Sequence, residues 1–315
     1  MNILLLGANG QLGRSFVEQK SLAALGTLVC ASRDGRRFDG TTIETADLAQ
    51  PDSLLPLLDR VRPQIIVNTA AYTAVDRAES EEDLAHRVNG EAVGRLGEWA
   101  QKHAALIVHY STDYVFDGSA RQPYAVDSDT APLGAYGRSK LAGESALQTS
   151  GAHHFLFRTA WVYSAKGQNF LRTMLRLGAE RDTLKVVADQ YGTPTPTRVI
   201  VEGTIAALQH WLTATPLKRT QLEGTHHLVT CGETSWHGFA LAIFELAYAH
   251  GILNRLPLVE AISTAEFPTP AKRPAYSVLD PTCFQAHFAV TLPFWRDGLM
   301  AVMSELALKD SEFPC

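Results

Sequence analysis

Only four cysteines, Cys30, Cys231, Cys283 and Cys315, occur in 315 residues, and none stands at a metal-ligand spacing from another. That excludes a zinc-knuckle pattern and a disulfide framework, and it fits reduced thiols in a cytoplasm. Basic runs are missing too: 28 Lys and Arg against 33 Asp and Glu leave a net charge of −5, so nothing calls for nucleic acid. No apolar run approaches the roughly 20 residues of a membrane-spanning helix, so no membrane partner is expected. The start, Met1-Asn2-Ile3-Leu4-Leu5-Leu6, lacks a basic leader and breaks at Gly7, which reads as a strand and not as a signal peptide. Metal is not expected either. His153-His154 and His226-His227 are adjacent pairs, and neighbours on a strand point to opposite faces, while His237 stands alone. What is present is an ordinary globular composition, 46% hydrophobic and 19% charged, long enough for one large domain or two closely joined ones.

The first informative stretch follows the apolar run Asn2 to Leu6. Gly7-Ala-Asn-Gly10-Gln11-Leu12-Gly13 leads from that buried strand into a helix expected from about Gln11 to Lys20. Strand, glycine turn and helix together make a dinucleotide-binding fingerprint: glycines let the backbone approach a pyrophosphate, and its charge sits at the helix N-terminus. The next strand, Gly26 to Ser32, ends where an NAD-specific protein presents a carboxylate to the adenosine ribose; here Ser32-Arg33 stands instead, with Arg36 and Arg37 nearby. A cation and a hydroxyl suit a 2′-phosphate, which favours NADPH over NADH. Asp47, in Thr45-Ala-Asp47-Leu48, is placed either to accept from an adenine amino group or to cap the helix expected over 51–61. Gln64 to Asn68 is another strand, running into a small-residue loop, and 79–103 reads as one helix.

Ala105 to Tyr110 is a fourth strand with Ser111-Thr112-Asp113 at its carboxyl end, where ligands of open α/β sheets bind. Tyr136-Gly-Arg-Ser-Lys140 follows. Residues four apart on a helix share a face, which sets a phenol beside an ammonium able to lower its pKa. Glycine turn, strand-end hydroxyl and Tyr-x-x-x-Lys, in that order, are far more specific together than apart, and they predict a Rossmann-type doubly wound parallel sheet. The expected division is a dinucleotide-binding domain over 1–163 and a smaller, mainly substrate-binding region over 164–315, with segments near 196–222 and 276–292 returning to the first. Arg273, in the Pro-rich stretch 267–274, suits either a substrate pyrophosphate or the carbonyls of its own loop.

Several longer blocks carry a resemblance: Val67-Asn-Thr-Ala-Ala-Tyr-Thr-Ala-Val-Asp-Arg-Ala-Glu79, Tyr110-Ser-Thr-Asp-Tyr-Val-Phe116, Tyr136-Gly-Arg-Ser-Lys-Leu-Ala-Gly-Glu144, Arg158-Thr-Ala-Trp-Val-Tyr163, Asp189-Gln-Tyr-Gly-Thr-Pro-Thr195 and Arg273-Pro-Ala-Tyr-Ser-Val-Leu-Asp280. With the glycine turn, these blocks resemble the dTDP-4-dehydrorhamnose reductase family of extended short-chain dehydrogenase/reductases over essentially the whole chain. The resemblance implies reduction of dTDP-4-dehydro-L-rhamnose to dTDP-L-rhamnose, the last step of that nucleotide-sugar's synthesis, with NADPH or NADH as cofactor. It makes Tyr136 the proton donor, Lys140 the nicotinamide-ribose anchor, and Thr112 the partner of the substrate oxygen. It places Asp113 and Trp161 against the substrate, Gly10, Gln11 and Leu12 at the pyrophosphate, Asp47 and Leu48 on the adenine side, and Ala71, Tyr72 and Thr73 beside the nicotinamide half. Some members bridge subunits with Mg²⁺ through glutamates; Ser15 and Arg198 occupy those places here, which argues against a metal-bridged dimer and leaves a monomer or a homodimer. Two other readings stay open: a non-catalytic NADP-binding subunit, like relatives that attach to methionine adenosyltransferase, and a reductase or epimerase of another nucleotide-sugar.

Overall fold

The computed structural model describes residues 1–312, so Cys315 lies outside the described residues. Seven strands build the main sheet: β1 (Asn2–Leu6), β2 (Thr27–Ser32), β3 (Glu44–Thr45), β4 (Ile65–Asn68), β5 (Leu106–Thr112), β6 (His154–Thr159) and β7 (Gly224–His227). They pair wholly in parallel in the order β7-β6-β5-β4-β1-β2-β3. This is the doubly wound α/β sheet the sequence predicts. The chain winds outward from β1 to β3 and then returns to β4 on the other side of β1, so a crevice opens at the carboxyl ends of β1 and β4.

Both faces are covered, which is why the central strands read as unbroken apolar runs. Ile3, Leu5, Val67 and Val108 pack on one side with Phe16 of α1 (Gln11–Gln19). Leu4, Leu6, Ile66 and Ile107 pack on the other with Leu57 of α2 (Leu54–Val61), Leu96 of α3 (Ala92–His103) and Leu147 of α4 (Ala135–Thr149). Late sequence divides between two cores. Ile200 and Leu208 from the helix Thr197–Thr213 and Phe284 and Phe288 from the helix Thr282–Phe288 join the α1 face of the sheet. The helices Phe170–Glu180, Trp236–Ala249 and Trp295–Glu312 form a separate core around Tyr163, Phe239, Phe244 and Leu299. Beside it, Thr183–Val187 and Leu258–Ile262 pair in parallel.

The helix expected over 79–103 forms without interruption from Glu82 to His103, but it is not uniform. Short helical turns cover Val75–Ala78 and Glu82–His86, a π-helical stretch covers Arg87–Glu91, and only then does α3 begin. Contacts remote in sequence hold the π stretch. The Asn89 side chain is held by the Tyr72 backbone, and the Asn89 carbonyl presses on α4 where Gly143 leaves no side chain: a Cβ there would stand 2.0 Å from that oxygen. Gly143→Ala should therefore push α4 off the π stretch and destabilise the protein by about 1–3 kcal/mol, the usual range for overpacking. Urea unfolding followed by far-UV circular dichroism reads the effect, and an unchanged midpoint would contradict the close packing.

Candidate active site

The glycine turn crowds against itself. Gly7 has φ +79, and a Cβ at Gly13 would lie 2.2 Å from the Gly7 carbonyl oxygen, so side chains are excluded at both positions. Gly10 is the N-cap of α1; no side chain caps that end and no acid stands in its first turn. Free N–H groups at a helix N-terminus, approached over bare backbone, suit the charge of a dinucleotide pyrophosphate. Gln11 is bound from the far side of the cleft, its Oε1 accepting from Asn169 Nδ2 at 2.9 Å, and Leu12 packs against the sheet-side core.

At the end of β2 the Ser32 hydroxyl is buried and committed, donating to Asp34 Oδ1 at 2.7 Å and to the Arg36 carbonyl at 2.9 Å. A carboxylate is thus present two residues beyond the position where one was sought, but it is engaged by Ser32 and by the Arg36 amide. Arg37 pairs with Asp39, while Arg33 and Arg36 reach solvent. That arrangement leaves exposed cations for a 2′-phosphate. Asp47 Oδ1 accepts from the Ala49 amide at 3.0 Å, a turn contact, and Leu48 is buried beneath the sheet edge. Of Ala71, Tyr72 and Thr73, the middle residue is gripped through its backbone: Tyr72 N–H donates to Asn89 Oδ1 at 2.9 Å, and Asn89 Nδ2 donates back to the Tyr72 carbonyl at 3.0 Å. Asn89 Nδ2 also reaches Ser139 Oγ on α4 at 2.9 Å, tying this loop to the helix of Tyr136. Asn89 has no local signature in the sequence, since its partners lie far away along the chain.

Thr112 ends β5 and caps the turn Asp113–Val115; it accepts from the Tyr114 amide and donates to Asp113 Oδ1 at 3.0 Å. Asp113 is 2% exposed, and burial raises its carboxyl to about 6, against the pull of the nearby Ser277 and Thr112 hydroxyls. Its other oxygen, Oδ2, has no hydrogen-bond partner. Tyr136 sits on the first turn of α4 with its ring edge-on to Tyr114 at 5.8 Å. Burial pushes its phenol up to about 12, and the Thr112 hydroxyl pulls the other way.

The expected lowering of the phenol by Lys140 is not found. Lys140 points inward instead, 2% exposed, with Nζ donating to the Tyr110 carbonyl at 2.6 Å and standing 3.5 Å from His109 Nε2. Burial lowers its ammonium to about 8, and Glu144 one turn along α4 counters that fall. Glu144 is itself paired with Arg158 of β6 at 2.8 Å, both carboxylate oxygens engaged and the guanidinium also donating to the Val126 carbonyl. This ion pair, at 7% and 1% side-chain exposure, fastens the middle of α4 to the sheet.

Trp161 stands across the cleft in a left-handed backbone conformation, φ +46, its indole stacked on Trp236 at 3.5 Å and 4°. Arg273 is used within the protein: it forms a bidentate pair with Asp76, 197 residues away, at 2.9 Å and also donates to the Ala271 carbonyl and Thr269 Oγ1 of its own loop. The residues in the places of the glutamate ligands are likewise occupied, Ser15 donating to Thr197 and Arg198 pairing with Glu202.

The Arg158–Glu144 pair yields a stability prediction. Removing one partner strands a buried charge, so Glu144→Ala should cost about 3–5 kcal/mol. Equilibrium denaturation of the purified variant measures it; a loss typical of a surface residue would mean the pair is not desolvated.

The family model described as the RmlD substrate binding domain matches residues 1–308. The dTDP-4-dehydrorhamnose reductase of Salmonella typhimurium is 41% identical over 306 residues, covering 97% of this chain and 98% of that one. The enzyme of the same name from Burkholderia thailandensis is 44% identical over 304 residues, covering 94% and 96%. Among solved structures, a dTDP-4-dehydrorhamnose reductase from Clostridium acetobutylicum superposes with a TM-score of 0.84 at 34% identity, covering 97% of this chain and 99% of that one. The Bacillus anthracis enzyme, solved in complex with NADP, gives 0.82 at 33% identity, covering 96% and 99%. With a family model matching residues 1–308 and relatives of one name aligned along nearly its whole length, this chain belongs to the dTDP-4-dehydrorhamnose reductase family.

Proposed function

We propose that this protein reduces the C4 ketone of dTDP-4-dehydro-L-rhamnose, giving dTDP-L-rhamnose, with NADPH as the cofactor and NADH as the alternative. The observation that carries the reading is the cluster at the carboxyl end of β5, where Thr112 donates to Asp113, Tyr136 of the adjoining α4 lies edge-on to Tyr114, and Lys140 reaches back to the Tyr110 carbonyl. The cofactor supplies the hydride; what the chain's own residues do follows from their environments. Tyr136, with its phenol raised to about 12, keeps its proton through neutral pH and is a donor to the developing alkoxide. Thr112 holds the same oxygen by a hydrogen bond that strengthens as charge grows there. Asp113 offers an unpartnered carboxylate oxygen to a sugar hydroxyl, and Trp161 offers an indole face to the ring.

Gly7, Gly10, Gln11, Leu12 and Gly13 take the pyrophosphate side of the cofactor, with Asp47 and Leu48 toward the adenine. Ala71, Tyr72 and Thr73 lie beside the nicotinamide half, and Arg33 and Arg36 meet a 2′-phosphate. The sheet-bearing part serves the cofactor, and the core around Phe239 and Leu299 serves the substrate. No helix among the described residues is long and apolar enough to cross a membrane, and we assign the protein to the cytoplasm.

Incubation with dTDP-4-dehydro-L-rhamnose and each cofactor, with identification of the product sugar, tests the reaction; no consumption of NADPH removes the reading. NADPH should show the lower KM, and equal or better use of NADH would remove Arg33 and Arg36 from the cofactor site. Tyr136→Phe should lower kcat by about 10²–10⁴, the range for loss of a general acid. Near wild-type turnover in that variant would take Tyr136 out of the mechanism.

A further inference from the structure

His109 is a buried imidazole without a task in the reaction described above. It lies in β5, 1% exposed, one residue before the Tyr110 carbonyl that receives the Lys140 ammonium. Its Nδ1 is 3.2 Å from Asn68 Nδ2, and its Nε2 is 3.5 Å from Lys140 Nζ. The orientation of the Asn68 amide is settled at its other end, where Oδ1 accepts from the Ala70 N–H at 3.2 Å. The amide nitrogen therefore faces the ring and donates to Nδ1, which carries no proton.

Burial, with Lys140 of α4 and His154 of β6 adding to it, keeps the ring well below the usual histidine range and hence neutral. A neutral imidazole with a bare Nδ1 has its proton on Nε2. That N–H is aimed at the lysine. An ammonium has no lone pair to receive it, whereas a neutral amine does. Around Lys140, the Tyr110 carbonyl and the Glu144 carboxylate favour the charged form, and burial and the His109 N–H oppose it.

We propose that His109, held in its Nε2–H tautomer by Asn68, is a positioning residue that sets the charge of Lys140 and thereby the upper pH limit of the reduction. The inference rests on the reading of Lys140 as part of the active site.

Nitrogen-15 NMR of histidine-labelled, cofactor-free protein reports the tautomer directly. The expected wild-type pattern has the proton on Nε2. Asn68→Asp should move it to Nδ1, because a carboxylate accepts where the amide donated. In pH profiles of kcat, wild-type turnover should fall as pH rises through about 8, where Lys140 loses its proton. The alkaline limb should move upward in Asn68→Asp and in His109→Gln, whose amide oxygen accepts from the ammonium. One pH unit above the wild-type midpoint, kcat relative to its optimum should rise about fivefold for a shift of one unit, the protonated share of the lysine going from roughly one-eleventh to one-half. A merely structural role lowers kcat at every pH without moving the limb, and that result overturns the proposal. A wild-type ring protonated on Nδ1 overturns it as well, even if neither variant folds. Lys140→Met with near wild-type turnover would instead remove the lysine from the site, so the two failures are distinguishable.

Discussion

Burying the Lys140 ammonium is the constraint on which the geometry of this site depends. Taking a charged side chain out of water costs several kcal/mol unless partners replace its hydration. Here the Tyr110 carbonyl supplies a hydrogen bond and Glu144 supplies opposite charge one turn away. Glu144 is buried in turn and is answered by Arg158, whose guanidinium lies over the Phe116 ring at 5.1 Å. The chain of compensation runs from α4 through β5 to β6, so the helix that presents Tyr136 is keyed to the sheet by charge as well as by apolar packing. Tyr136 sits at the near end of that helix, where small shifts would misplace a proton donor.

Close approach makes this keying effective. Gly137 faces the Tyr114 carbonyl, where a Cβ would come within 2.2 Å, and Gly143 faces Asn89 in the same manner. The helix is seated between the turn that follows β5 and the π stretch. Single-turn π bulges often mark functional sites, because the extra residue redirects a side chain. Here the redirected side chain is Asn89, which joins the Tyr72 loop to Ser139.

Which parts of this arrangement were legible in the sequence follows from how local their causes are. The glycine turn and the Tyr136–Lys140 spacing express rules of a few residues, and the apolar runs of β1, β4 and β5 express a sheet covered on both faces. The π stretch does not, because its cause lies in Tyr72 and in Gly143, on other elements. His109 carries no local signal inside an apolar strand, since its importance comes from Asn68 and Lys140, 41 and 31 residues away. The direction of the Tyr136 shift is not legible in the spacing, for a related reason. Spacing puts two side chains on one face, but burial and the competing Tyr110 carbonyl decide where the ammonium goes and how the phenol responds. At the cofactor end, Ser32 was read as an open hydroxyl, whereas Asp34 and the Arg36 carbonyl already claim it.

The Asp76–Arg273 pair closes the late loop against the stretch that follows β4, joining residues 197 apart in the chain. Unlike the Arg158–Glu144 pair it is reached by water, with side-chain exposures of 21% and 40%. Its attraction is therefore open to screening by dissolved ions, whose reach at physiological ionic strength is about 8 Å. The Trp161–Trp236 stack, by contrast, is uncharged and largely indifferent to salt. The two contacts thus answer to different properties of the surrounding solution: one loosens as ionic strength rises, and the other keeps its place.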